Sequence, residues 1–146
     1  MITGEYYNSL DEKGRLLIPS RLRSEISGNT LVLTRGIDIC LWLFLPDSWA
    51  AISESLIEST SIFHSRARLL QRRIIGPAQE VEIDKAGRIN ISSSLRDYAK
   101  LEKDCVFVAL KKYIEIWSEE QYKDYLEESE SEFKVAAEDL GEKIKF

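Results

Sequence analysis

The amino-acid sequence predicts a mainly β protein with added helices, an α+β fold whose two repeated halves form one pseudo-symmetric unit. Three observations point there. The stretch LDEKGRLLIP, Leu10 to Pro19, returns 73 residues later as IDKAGRINIS, Ile83 to Ser92. At that offset Asp11, Gly14, Arg15, Leu16, Ile18, Leu22 and Arg23 fall on Asp84, Gly87, Arg88, Ile89, Ile91, Leu95 and Arg96. The likeness continues with a short gap, setting Phe44 on Trp117 and Trp49 on Tyr122, so both halves carry one order of elements. Finally, each half holds only four short strands and about two turns of helix, too little to cover its own apolar faces. The halves must cover each other, with strands of one repeat pairing with strands of the other.

In chain order, EYYNSLD and RLLI read as short strands joined by a tight turn at Glu12-Lys13-Gly14. Pro19 suits the first position of a helix, so PSRLRSEI is a short helix ended by Gly28-Asn29. TLVLTR and CLWLFL are strands around the turn Gly36-Ile37-Asp38. Pro46 to Gly76 places Trp49, Ile52 and Leu56, then Leu69, Leu70 and Ile74, at roughly helical spacing. The second half repeats the pattern with QEVEID, RINI, the short helix SSLRDYA, CVFVALK and YIEIWS. Ser118 to Gln121 forms a capping box that opens a last helix through Tyr122, Leu126, Phe133 and Leu140.

Composition narrows the function. The chain has 146 residues and is 44% hydrophobic, enough for a packed core. The apolar run Leu41 to Leu45 is far short of the about 20 residues that span a bilayer. The N-terminus reads as neither signal nor transit peptide, so a soluble cytoplasmic protein is expected. Cys40 and Cys105 lie in apolar runs without Cys-x-x-Cys spacing and read as small buried hydrophobes. His64 is the only histidine, which leaves no His-based metal cluster and no Ser/His/Asp set. No phosphate-cradling glycine loop or zinc spacing appears either, so neither an enzyme nor a cofactor or metal is expected. The net charge of −5 belongs to the tail: residues 119–146 hold ten acids and four bases. The first 118 residues hold fifteen acids and sixteen bases, a net of +1, so phosphate binding would need local basic patches.

The repeated Asp-x-x-Gly-Arg is the candidate site. Gly14 and Gly87 supply the positive φ of a tight turn at no steric cost. Asp11 and Asp84 can accept from backbone N–H groups two residues on and hold the arginine in one orientation. Arg15 and Arg88 open the second strand at the tip of a ribbon, where a pre-oriented five-donor group suits a planar acceptor pattern such as guanine O6 and N7. Lys13 and Lys85, one in each turn, are candidate phosphate contacts. A turn braced by a local ion pair and binding nothing explains the same residues, and pattern alone leaves the two readings even. SRARLLQRR gathers Arg66, Arg68, Arg72 and Arg73, but on an ideal helix Arg66 and Arg73 share a side opposite Arg68 and Arg72. That favours contacts to acidic partners, such as a neighbouring subunit, over a groove-reading helix.

LDEKGRLLIPSRLR, GPAQEVEIDKAGRINISSSLR and YIEIWSEEQY together resemble the MraZ family of bacterial transcriptional regulators, from the N-terminus to about Leu126. Both family aspartates and both arginines stand here, as Asp11, Arg15, Asp84 and Arg88. The chain reads Gly76-Pro77-Ala78 where Gly-His-Ala is common, which touches the lead-in to the second repeat and not the motif. The resemblance implies two AbrB-like swapped-hairpin domains, expected at 5–48 and 77–122, with a helical connector at 49–76 and an acidic helix or tail at 123–146. It also implies ring-shaped homo-oligomers, nucleoid association, and binding to double-stranded DNA at direct repeats upstream of the division and cell-wall gene cluster. The alternative is an antitoxin-like interaction module whose acidic C-terminal segment occupies a toxin. Two fused domains weigh against it, because antitoxins of that kind usually set one short β domain before a disordered tail.

Overall fold

The computed structural model describes residues 3–144, so the last two residues of the expected acidic tail, 145 and 146, lie outside the described residues. The first repeat contributes β1 (Thr3–Ser9), β2 (Arg15–Leu17), α1 (Ser20–Arg23), β3 (Thr30–Arg35) and β4 (Leu41–Phe44). Helix α2 (Pro46–Ser59) and α3 (Ser65–Leu70), which runs into a π-helical turn at Gln71–Ile75, lead to the second repeat. That repeat holds β5 (Gln79–Glu82), β6 (Arg88–Asn90), α4 (Ser93–Tyr98), β7 (Asp104–Leu110) and β8 (Ile114–Ser118). Helices α5 (Glu119–Glu128) and α6 (Glu130–Gly141) close the chain.

Six strands form one antiparallel sheet in the order β1-β7-β8-β4-β3-β5, and β2 and β6 form a separate two-stranded ribbon. The order shows an exchange. Hairpins β3–β4 and β7–β8 meet through β4 and β8, while β1 lies on β7 of the other repeat and β5 on β3. The ribbon likewise takes one strand from each repeat. The strands on either side of Glu12-Lys13-Gly14 therefore do not form the hairpin that the sequence suggests. After a single bridge, Leu10 to Leu16, they part into different sheets. β1 pairs instead with β7 and β2 with β6, each a strand of the other repeat.

Alternation decides which faces are buried. On one face of the sheet Leu31, Leu33, Leu41, Leu43, Phe107 and Ile116 pack against the ribbon and its helices, which supply Leu16, Ile18, Leu22, Ile89, Ile91 and Leu95. All twelve are at most 1% exposed. Helix α2 covers the other face over β3 and β4, and α5 covers it over β7 and β8. The repeat equivalence extends to the joints: Phe44 meets Trp49 at 5.3 Å between ring centres, and Trp117 meets Tyr122 at 5.1 Å. Cys40 and Cys105 are fully buried free thiols, and burial pushes both upward, Cys105 to about 11.

The helical segments break more often than their periodicity suggests. The connector stops at Ser59 and resumes at Ser65, and the final helix breaks at Ser129. Ser118 caps α5 by accepting from the Gln121 N–H at 3.4 Å. Beyond Leu70 the connector widens into the π turn, where the Gly76 N–H reaches the Gln71 carbonyl at 2.9 Å. The buried Thr34 hydroxyl donates to the Ile74 carbonyl and ties this turn to β3. Ideal-helix phasing of Arg72 and Arg73 against Arg66 accordingly does not hold.

Candidate nucleic-acid interface

Both motif turns are built the same way from local bonds. Asp11 Oδ1 accepts from the backbone N–H of Lys13 at 2.9 Å and of Arg15 at 2.8 Å. Asp84 Oδ1 accepts from Ala86 and Arg88, both at 2.9 Å. The second oxygen of each carboxylate takes the Nε–H of its own arginine, at 2.7 Å for Arg15 and 2.9 Å for Arg88. Gly14 and Gly87 sit at φ +81° and +86°, as the reversal requires. One carboxylate thus shapes the turn and clamps the base of the guanidinium, and among the described residues no other group bonds the outer end of the fork.

The ribbon register puts both arginines on one face. Arg15 lies opposite Asn90, and Arg88 opposite Leu17. Leu16 and Ile89 between them point into the core and are fully buried, so the other four residues face outward. The two arginines form a diagonal pair, about 7–8 Å apart at the backbone. Each side chain is about one-third exposed, at 32% and 33%. Cross-repeat bonds hold the turns in place: the Ile18 N–H donates to the Gly87 carbonyl at 2.9 Å, and the Ile91 N–H to the Gly14 carbonyl at 2.8 Å.

Lys13 and Lys85 are exposed in their turns, but they are not equivalent. Lys13 stands two residues after its aspartate, beside Glu12, whereas Lys85 stands one residue after Asp84, beside Ala86. The second turn carries the more positive field. Reading the motif alone missed two more arginines. Arg96 lies over Gly14 and Arg23 over Gly87, so close that a Cβ on either glycine would overlap a guanidinium. Each turn therefore holds an arginine from each repeat. The signal was present in the 73-residue match of Arg23 to Arg96, but their place follows from the exchange of strands.

The carboxyls of Asp11 and Asp84 are held below the usual 3.8, chiefly by the backbone N–H of the motif arginine. A carboxyl lowered by folding adds stability above its unfolded value and loses it as pH falls through the lower folded value. Both clamps should therefore be intact at every pH above about 4 and open only below the ordinary carboxylate range. Side-chain carboxyl NMR titration should give midpoints under 3.8 for both residues. A midpoint at or above 3.8 would mean that the carboxylate does not hold its turn.

Among the described residues no helix is long and apolar enough to cross a membrane, and no three His, Cys, Asp or Glu side chains gather to hold a metal. Fold and site together define a duplicated, strand-exchanged α+β protein that displays paired Asp-x-x-Gly-Arg turns on one ribbon. A family model described as "MraZ protein, putative antitoxin-like" matches residues 1–73 and again 74–143. The chain belongs to the MraZ family. It is 50% identical over 141 residues to a protein of Treponema denticola named "Transcriptional regulator MraZ", covering 97% of this chain and 98% of that one. A protein of the same name from Treponema pallidum (strain Nichols) is 48% identical over 138 residues, 94% of this chain and 93% of the relative.

Proposed function

We propose that this chain is a transcriptional regulator that binds double-stranded DNA sequence-specifically, with Arg15 and Arg88 reading bases. The observation that carries the reading is the clamp: each guanidinium is fixed through Nε on one outward ribbon face, and among the described residues its outer nitrogens have no hydrogen-bond partner. A brace that served the turn alone would gain little from an exposed ion pair. A pre-oriented fork is what bidentate recognition of guanine requires. Lys13 and Lys85 supply phosphate contacts, and Arg23 and Arg96 add charge at the turns. The names of the relatives support the regulatory role. Direct repeats upstream of the division and cell-wall gene cluster are the proposed target, a ring of identical subunits the proposed assembly, and the cytoplasm and nucleoid its place.

The test is a fluorescence-anisotropy titration with the chain's own upstream DNA against scrambled DNA. Arg15→Ala or Arg88→Ala should each cost about 1–3 kcal/mol, roughly 5- to 150-fold in affinity, and relax the sequence preference. Lys13→Ala or Lys85→Ala should weaken binding to both DNAs alike and flatten the salt dependence. Unchanged operator affinity with a lowered melting temperature for Arg15→Ala would leave that motif as a turn brace only.

A further inference from the structure

Two of the exposed apolar surfaces outside the ribbon carry opposite charge around them. The first is the tip between α2 and α3. Phe63 is 87% exposed and Ile62 63%, yet the backbone that carries them is held. The His64 N–H donates to the Ser61 carbonyl at 3.0 Å, the Phe63 N–H to Ser61 Oγ at 3.2 Å, and Arg68 Nη1 to the Ile62 carbonyl at 2.9 Å. Two apolar side chains are thus displayed on a fixed loop, against the tendency of monomers to cover such groups. Beyond the tip, Arg66, Arg72 and Arg73 are exposed. None joins an ion pair among the described residues.

The second surface is a groove of about 350 Å³ between the β3–β4 turn and α5. Its walls are Ile37, Ile39 and Tyr125, which are 70%, 40% and 38% exposed. Its rim is Asp38, Asp124 and Glu128, with no basic side chain along it. Asp124 and Glu128 lie one helical turn apart on the same side of α5. The Tyr125 hydroxyl is pushed upward, first by the charge of Asp38, as an uncompensated negative field requires.

We infer that the tip Ile62–Phe63 of one copy docks in the acidic-rimmed groove of a second copy, with the connector arginines meeting the rim carboxylates. Complementarity selects this occupant: apolar knob to apolar groove, and arginines to carboxylates, with both surfaces on every chain and neither ion-paired among the described residues. Tip and groove are different surfaces, so the contact is heterologous and closes into a ring if the rotation between neighbours allows. The central aromatic with flanking arginines matches the usual make-up of an interface hot spot. The inference rests on the proposed self-association and names the surfaces that carry it.

Sedimentation velocity of the full chain tests it with four samples beside the wild type. These are Phe63→Asp, the tip-side reversal Arg66→Glu/Arg73→Glu, the groove reversal Asp124→Arg/Glu128→Arg, and an equimolar mixture of the two reversals. The wild type should sediment as a multi-subunit species, and each variant alone as smaller ones. The mixture should return to the wild-type mass, because each reversed surface then finds its complement; this also excludes misfolding as the cause of dissociation. Reversed chains that keep the wild-type mass, or a mixture that stays dissociated, would overturn the docking while leaving self-association standing. A wild type that remains a single subunit at every concentration would overturn self-association itself, and the docking with it.

Discussion

Residues 1–76 expressed alone should fail to fold as a monomer, giving an unfolded or self-associating product. Every strand of the first repeat loses a partner in that truncation: β1 loses β7, β2 loses β6, β3 loses β5 and β4 loses β8. Leu16, Ile18 and Leu22 would lose the second-repeat part of the shared core that now leaves them at most 1% exposed. Burying each such side chain contributes about 1.5–3 kcal/mol. Three of them already approach the whole stability of a typical domain, about 5–15 kcal/mol. The exposed strand edges would seek replacements, and the nearest available is another copy of the same half. Circular dichroism melts with sedimentation velocity decide the matter. A monomeric half that melts cooperatively would show that the exchange of strands is not what holds the fold together.

Deleting one box from a multi-box operator should lower affinity by orders of magnitude. The first 118 residues carry a net of only +1, so one subunit neutralises few phosphates. Non-specific affinity comes almost wholly from counterions released by such contacts, and a single subunit should bind weakly. Useful affinity must then come from several subunits engaging several boxes, each later contact being effectively intramolecular. Linked binding of this kind gains about 10²–10⁴-fold. Moving one box by half a helical turn, about 5 base pairs, should cost nearly as much, because the box then faces away from its subunit. A gel-shift series with one, two and three boxes, at native and altered spacing, measures both effects. Equal affinity for one box and three would remove the proposed assembly from recognition.

The motif turns were legible because everything that builds them lies within five residues. An aspartate reaches N–H groups two and four positions on, a glycine takes positive φ, and the arginine follows directly. The repeat was legible for the same reason, since residue identities survive at a fixed offset. The hairpin expected around Glu12-Lys13-Gly14 was not realised, although its turn was. Alternating burial says that one face of a strand is covered, but not by what, so β1 and β2 could not be assigned to different sheets in advance. Breaks in the connector and the final helix escaped notice because helical spacing resumes on either side of them.

What the sequence by itself determined is local: two Asp-x-x-Gly-Arg turns, the strands and short helices around them, the apolar faces that neither half can cover alone, and an acidic tail set apart from a neutral body. Only the tertiary structure decided that the halves exchange strands. The exchange brings Arg15 and Arg88 diagonally onto one ribbon face, and lays Arg96 and Arg23 over each other's repeat at Gly14 and Gly87. The physical reason is that turns are settled by bonds between near neighbours, whereas strand partners are settled by which distant face buries the most apolar surface.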